Sequence, residues 1–315
     1  MASIETIFRS HIYNKNLNLK NIDLCNLDDI FDRKSIMSDT DKSIIFRKYM
    51  EYNIALKIFK IDENNIGRLY EVSIYQNIIQ DITKLKCSPN FLPYIGFAEC
   101  DFNHVKKYLD KKEQKKIGSV KYGILATKLI DNIETLFDLF YFDFLSPKDI
   151  LNIMFQVIFS IAIMQQYKLV HNDLHDRNIL IQILNEEKEL VYQIQNQKFL
   201  IKTKYIPLLF DWDNSYCEYL GKNETLEGSM CNTFSMCNRF NPYNDMYLFM
   251  CKVLNYLYIY YPNDKIIGEI HRMIPILSNR KLEMMIDIEL VKEIEDNLQP
   301  ISNREEDEEK HFVYK

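Results

Sequence analysis

Glycine is scarce in this chain, with seven in 315 residues and none before Gly67. That absence excludes a G-x-G-x-x-G phosphate cradle in the first quarter of the protein. The seven cysteines (Cys25, Cys87, Cys100, Cys217, Cys231, Cys237 and Cys251) are odd in number and never form a C-x-x-C pair. This pattern predicts reduced thiols in a cytoplasmic setting and argues against a disulfide framework or a zinc site. Positive charge is not in surplus: the formal net charge is -6 and the pI about 5.6, so nucleic acid is not expected as the main partner. No uninterrupted apolar run approaches the roughly 18 residues of a spanning helix. The N-terminal "MASIETIFRSHIYNKN" lacks the apolar core of a signal peptide. No membrane partner is therefore expected. Only one tryptophan, Trp212, is present, and alanine is rare beside abundant Ile, Asn, Lys, Tyr and Phe, a bias that AT-rich genomes impose.

What is present has a clear order. Strand-like runs rich in β-branched and aromatic residues, "SIIFRKYM", "YNIALKIFKI", "FLPYIGFAECDF" and "KYGILATKLI", fill the region from 27 to 130. One helical pattern, "RLYEVSIYQNIIQDI" at 68–82, interrupts them. From residue 147 the texture becomes helical. "PKDILNIMFQVIFSIAIMQQYK" opens on a Pro suited to a first turn, and "YNDMYLFMCKVLNYLYIYY", "GEIHRMIPIL" and "DIELVKEIEDNL" follow. The fold class predicted is α+β: a β-rich part over 1–130 with one main helix, then a mostly helical part over 131–315, joined by "KLIDNIET". The Lys-rich 106–116 and the acidic 304–310 read as solvated faces.

The chemistry concentrates in "LVHNDLHDRNILIQIL", 169–184, where eight residues dense in His, Asp, Asn and Arg stand between two apolar strips. An Asp on a short loop between a buried helix and a strand can meet a substrate hydroxyl, and an Asn five positions later can reach a metal from the same side. A second carboxylate set, "LLFDWDNS", ends another apolar strand with Asp211 and Asp213. Oxygen donors converging from two strand ends suit Mg²⁺ bound to a nucleotide, whose remaining ligands are phosphate and water.

These residues, taken in order, resemble the protein-kinase-like superfamily, with its H-R-D-x-x-x-x-N and D-F-G signatures. Asp173 and Asn178 keep the five-residue spacing, "IALKIF" resembles the strand motif V-A-I-K at Lys57, and Glu71 lies 14 residues beyond Lys57. Asp245 in "NDMYLFMCKVL" resembles the buried Asp that anchors the catalytic loop. The resemblance implies a two-lobed kinase-like fold, ATP and Mg²⁺ as cofactors, and transfer of the γ-phosphate to a protein hydroxyl of Ser/Thr type. By resemblance Asp173 orients or deprotonates the acceptor, Lys57 clamps phosphate, Glu71 holds Lys57, and Asn178 and Asp211 bind the metal. Thr127 would line the adenine pocket, with Lys128 to Ile130 offering backbone groups to the base.

The departures carry information too. Without glycine, "SIMSDT" takes the place of the phosphate loop, so Ser35 and Ser38 are the candidate phosphate contacts, while Asp39 and Asp41 would repel. Asn172 replaces the Arg of H-R-D, which predicts weak control by phosphorylation at Thr225, Ser229, Thr233 or Ser235. His175, two residues after Asp173, joins the catalytic candidates and is similar to aminoglycoside and choline phosphotransferases, so a small-molecule acceptor stays open. The missing glycine loop and the D-W-D keep a pseudokinase scaffold open as well. The segment "CNRFNPYNDMYLF" resembles kinase-like proteins of large DNA viruses of eukaryotes, which would place the chain in host cytoplasm or virion. His171 reads as a prop for the loop, and 179–210 as an extended hairpin with an Asn-Gln turn.

Overall fold

The computed structural model describes residues 23–26, 36–39, 42–49, 52–62, 66–106, 109, 120–142, 145–194, 197–228, 230–231 and 236–273. The class is α+β, with small antiparallel sheets and several helices. Residues 1–248 make one compact unit and 249–315 a second.

Five strands form the first sheet: β1 (Ile36–Asp39), β2 (Lys42–Tyr49), β3 (Tyr52–Lys60), β4 (Tyr94–Asp101) and β5 (Lys121–Lys128), in the order β1-β2-β3-β5-β4. β1 and β2 pair from Ile36↔Ile45 to Asp39↔Lys42, so two residues connect them. Strand alternation divides β3 between two faces. Ile54, Leu56 and Ile58 are buried with Tyr122, Ile124, Ala126 and Leu24 on one side, while Lys57 points to the other.

Against that other side runs one long helical stretch: α1 (Ile66–Ile74), a π turn (Tyr75–Ile79) and α2 (Gln80–Lys84). The periodicity at 68–82 predicts the helix but not its π turn, which inserts extra backbone just after Glu71. Short α3 (Phe102–Val105) follows β4.

The helical part begins with β6 (Ile133–Thr135) and α4 (Leu136–Phe142), then α5 (Pro147–Gln166). Ser146 caps α5 by accepting from the Asp149 N–H at 3.2 Å, with Pro147 in the first turn, where its missing donor costs nothing. α5 is long and apolar enough to cross a membrane by length and composition, yet ten of its side chains are buried inside the protein. Its polar members are bonded there: Gln156 Nε2 donates to Tyr205 O at 2.9 Å, and its Oε1 accepts from Asn90 Nδ2 and Tyr192 Oη, each at 3.1 Å. A buried amide left unpaired costs several kcal/mol, so these bonds fix where the helix lies.

Two-stranded pairing of β7 (Leu169–Val170) with β10 (Tyr216–Cys217) brackets the polar octet and the 211–215 turn. The expected hairpin is β8 (Ile179–Ile194) with β9 (Gln197–Leu209), added to β6 in the order β6-β8-β9. Its last pair is Ile194↔Gln197, and Asn196 of the expected Asn-Gln turn lies outside the described residues. α6 (Asn244–Tyr260) starts in the first unit. The second unit holds the remainder of α6 and α7 (Lys265–Met273), capped by Asp264 Oδ1 accepting from Ile266 N at 2.9 Å. The expected helix at 287–298 lies outside the described residues.

The thiol expectation is corrected. Cys25 is bonded to Cys100 and Cys231 to Cys237, while Cys87, Cys217 and Cys251 stay outside disulfides. The first pair is 75 residues apart in sequence, and only the packing of the 23–26 turn beside β4 brings it together.

Candidate active site

Lys57 is the centre of the site. From β3 its Nζ lies 2.7 Å from Glu71 Oε2 on α1 and 2.7 Å from Asp211 Oδ1 after β9. Burial works against the ammonium, but Glu71 and Asp211 outweigh it and hold the Lys57 pKa above its ordinary value. Burial in turn pushes the Glu71 carboxyl up, and Lys57 pulls it back. Glu71 is only 2% exposed, so its partner is a condition of its burial.

Arg68, one turn before Glu71, was not visible as a site residue in any motif. Its Nη1 lies 2.5 Å from Asp213 Oδ2, 3.3 Å from Asp211 Oδ1 and 3.8 Å from Glu71 Oε2. The signal that was there is the i,i+3 spacing to Glu71. Two cations thus face three carboxylates, and the cluster carries one surplus negative charge.

The polar octet is held from below by Asp245. Its Oδ2 accepts from His171 N at 2.7 Å and its Oδ1 from Asn172 N at 2.8 Å. Burial pushes the Asp245 carboxyl up, opposed by His171 and by these two N–H donors. Asn172 stands at φ 65°, a left-handed conformation that Asn tolerates better than most residues, and donates to Asn214 O at 3.1 Å. Asp211 is also left-handed, at φ 65°. His171 Nε2 lies 2.8 Å from Phe210 O, and its ring packs on Trp212 with centroids 4.7 Å apart. The loop is therefore bonded to the residues on either side of the D-W-D turn, Phe210 and Asn214, as well as to Asp245.

Asp173 is about one-fifth exposed. Its Oδ2 accepts from Asn214 Nδ2 at 3.1 Å, and its Oδ1 is 3.5 Å from His175 Nε2. Arg177 N donates to His175 Nδ1 at 3.1 Å, which assigns the ring proton to Nε2, the side facing Asp173. Asn178 Nδ2 donates to the Asp173 carbonyl at 2.9 Å, so its Oδ1 is the atom left for a metal. The pair Ile179↔Leu209 and the contact from Phe210 N to Asn178 O at 3.4 Å set Asn178 and Asp211 at the same end of the β8–β9 ladder. Among the described residues no three His, Cys, Asp or Glu side chains gather as a metal cluster. Asn214 is the second residue that motif reading missed; its only signal was position, directly after Asp213.

The residues expected to border a base lie at the end of β5 and just beyond it. Thr127 is buried and pairs with Ala55 and Tyr94, while the Lys128 N–H is spent on Pro93 O at 2.9 Å. Burial lowers the Lys128 pKa, partly offset by Asp131. The Ile130 side chain is buried. Ser38 is described through its backbone, paired with Ser43, whereas Ser35 lies outside the described residues, as do Asp41, Ser229, Thr233 and Ser235. The Thr225 hydroxyl donates to Asn223 Oδ1 at 2.7 Å.

No family model matches the chain. Over 70 residues, 22% of its length, it is 37% identical to "Uncharacterized protein 179R" of Invertebrate iridescent virus 6, and that stretch covers 6% of the viral protein.

Proposed function

We propose that this chain is an ATP- and Mg²⁺-dependent phosphotransferase on a two-lobed protein-kinase-like fold, passing the γ-phosphate to a hydroxyl of a protein substrate. The observation that carries this reading is Lys57 Nζ, 2.7 Å from two carboxylates that lie 14 and 154 residues away in sequence. A purely structural ion pair needs one such partner.

In this reading Asp173 receives the acceptor proton, with Asn214 Nδ2 holding one of its oxygens and His175 Nε2 3.5 Å from the other. Lys57 positions phosphate, and Glu71 holds Lys57. The residues fit Mg²⁺: one carboxylate and one carboxamide oxygen, from Asp211 and Asn178, suffice for an ion whose other ligands are phosphate and water. When bound with nucleotide, that ion neutralises the phosphate charge. Because the cluster of Lys57, Arg68, Glu71, Asp211 and Asp213 is net negative, nucleotide alone is repelled and the metal is required. Thr127 and Lys128 to Ile130 border the base.

A small-molecule acceptor is the second reading, favoured by the proximity of His175 to Asp173. Thermal unfolding with ATP tests the common part. At 100 times its dissociation constant, nucleotide with Mg²⁺ should add about 2.7 kcal/mol of stability, and without Mg²⁺ nothing. No shift in either case would favour a pseudokinase scaffold.

A further inference from the structure

The Lys57–Glu71 pair has a counterpart on the other side of Asp211. Arg68 is to Asp213 as Lys57 is to Glu71: a cation and a carboxylate in direct contact, both largely buried, at 13% and 19% exposure. The two pairs leave Asp211 as the surplus carboxylate, touched by both cations. The rest of helix α1 grips the same segment. Gly67 lies so close to it that an added Cβ would stand 2.9 Å from Thr225 Cγ2 and 3.0 Å from Asp213 O. Tyr70 Oη donates to Gly221 O at 2.9 Å and accepts from Cys217 N at 2.9 Å. Below, Asn223 Nδ2 donates to Asp213 O at 2.7 Å and to Ser215 O at 2.9 Å. Three residues of this helix, 67, 68 and 70, are thereby committed to residues 211–225.

We propose that Arg68 is a positioning residue which, through Asp213, locks helix α1 to the Asp211 turn, so that the site is assembled by the chain's own charges without phosphorylation. This rests on the phosphotransferase reading for its purpose, though the lock itself is a statement about geometry. Arg suits the task because Nη1 carries two N–H groups fixed in the guanidinium plane and lies within reach of both Asp211 and Asp213, a geometry that a freely rotating lysine ammonium does not fix. Thr225, the described candidate for phosphorylation, already has its hydroxyl bonded to Asn223 and its methyl under Gly67. A phosphate there would push α1 away.

Trp212, the single tryptophan, lies between the two carboxylates, fully buried against Phe91 at 6.1 Å and His171. Its fluorescence therefore reports the turn without any need for activity. In Arg68→Met the emission should shift to longer wavelength and acrylamide quenching rise about twofold or more, as for a segment that opens locally, with far-UV circular dichroism unchanged. Arg68→Lys should fall between that variant and the parent protein. Phosphatase treatment of the parent protein should leave its quenching unchanged. If Arg68→Met loses its folded spectrum, the isosteric Asp213→Asn gives the same readout on a gentler change. In the activity arm kcat should fall by about tenfold or more with the KM for ATP nearly constant. Parent-like quenching in the folded variant, or quenching that rises on dephosphorylation, overturns the lock. A parent protein that shows the Trp212 response but no stabilisation by Mg²⁺ and ATP keeps the lock and removes the phosphotransferase reading instead.

Discussion

Asp245 Oδ1 accepts the backbone N–H of Asn172 at 2.8 Å across 73 residues of sequence, while Oδ2 takes the neighbouring N–H of His171 at 2.7 Å. One buried carboxylate therefore sets the path of the loop that carries Asp173, including the left-handed turn at Asn172. Asp245→Ala would orphan two buried donors, at a cost of roughly 2 to 5 kcal/mol. Urea unfolding measures this, and a midpoint equal to that of the parent protein would show that the loop holds its own shape.

Lys57 and Glu71 make a paired prediction. Removing the ammonium in Lys57→Met leaves Glu71 buried and uncompensated, which should cost about 3 to 5 kcal/mol. Adding Glu71→Gln to the same chain removes the stranded charge and should restore most of that stability. A double variant no more stable than Lys57→Met would mean that the carboxylate is satisfied by Arg68.

Tyr70 makes stability depend on alkaline pH. Burial raises its pKa from 10.0 to about 12, only partly opposed by the bond from the Cys217 backbone. The folded state therefore holds the phenol proton more tightly than the unfolded state does. Its contribution is complete below about pH 10 and disappears as pH rises through about 12. Tyr70→Phe should be less stable at neutral pH, since the Cys217 N–H and Gly221 O lose their partner, and should show a shallower decline over that alkaline range. Parallel declines for the two proteins would contradict the assignment.

The hairpin is tied to the core through Gln156. Gln156→Leu would leave Asn90, Tyr192 and the Tyr205 carbonyl each short of one bond, an expected loss of roughly 2 to 4 kcal/mol. Hydrogen exchange should localise the loss to β8 and β9. A uniform change across the protein would mean that the hairpin is not a separate cooperative piece.

The sequence made legible those residues whose spacing is local or whose surroundings are extreme. Asp173 and Asn178 stand five apart in a polar island, Lys57 is the charge inside an apolar strand, and the β8–β9 hairpin shows alternation. The parts it hid are those that depend on distant chain segments. Arg68 reads as an ordinary helix-surface cation until Asp213 is folded over it, and Asn214 acquires a role only when the D-W-D turn meets Asp173. Asn172 looked like the loss of an arginine; the structure gives it a task of its own, holding a left-handed turn and the Asn214 carbonyl. Cys25 and Cys100 show how a count of thiols fails when one short turn packs beside a strand 75 residues away. The π turn after Glu71 leaves no trace in the apolar pattern, since the buried positions continue through it.

Transfer of labelled phosphate from the γ-position of ATP is the most direct test of the central claim. The parent protein, with Mg²⁺, is presented first with a protein mixture and then with a panel of small alcohols, beside Asp173→Ala. The account predicts Mg²⁺-dependent labelling of an acceptor, reduced about 10²-fold or more in Asp173→Ala. Labelling that the variant retains in full, or its absence from the parent protein with every acceptor, would contradict it.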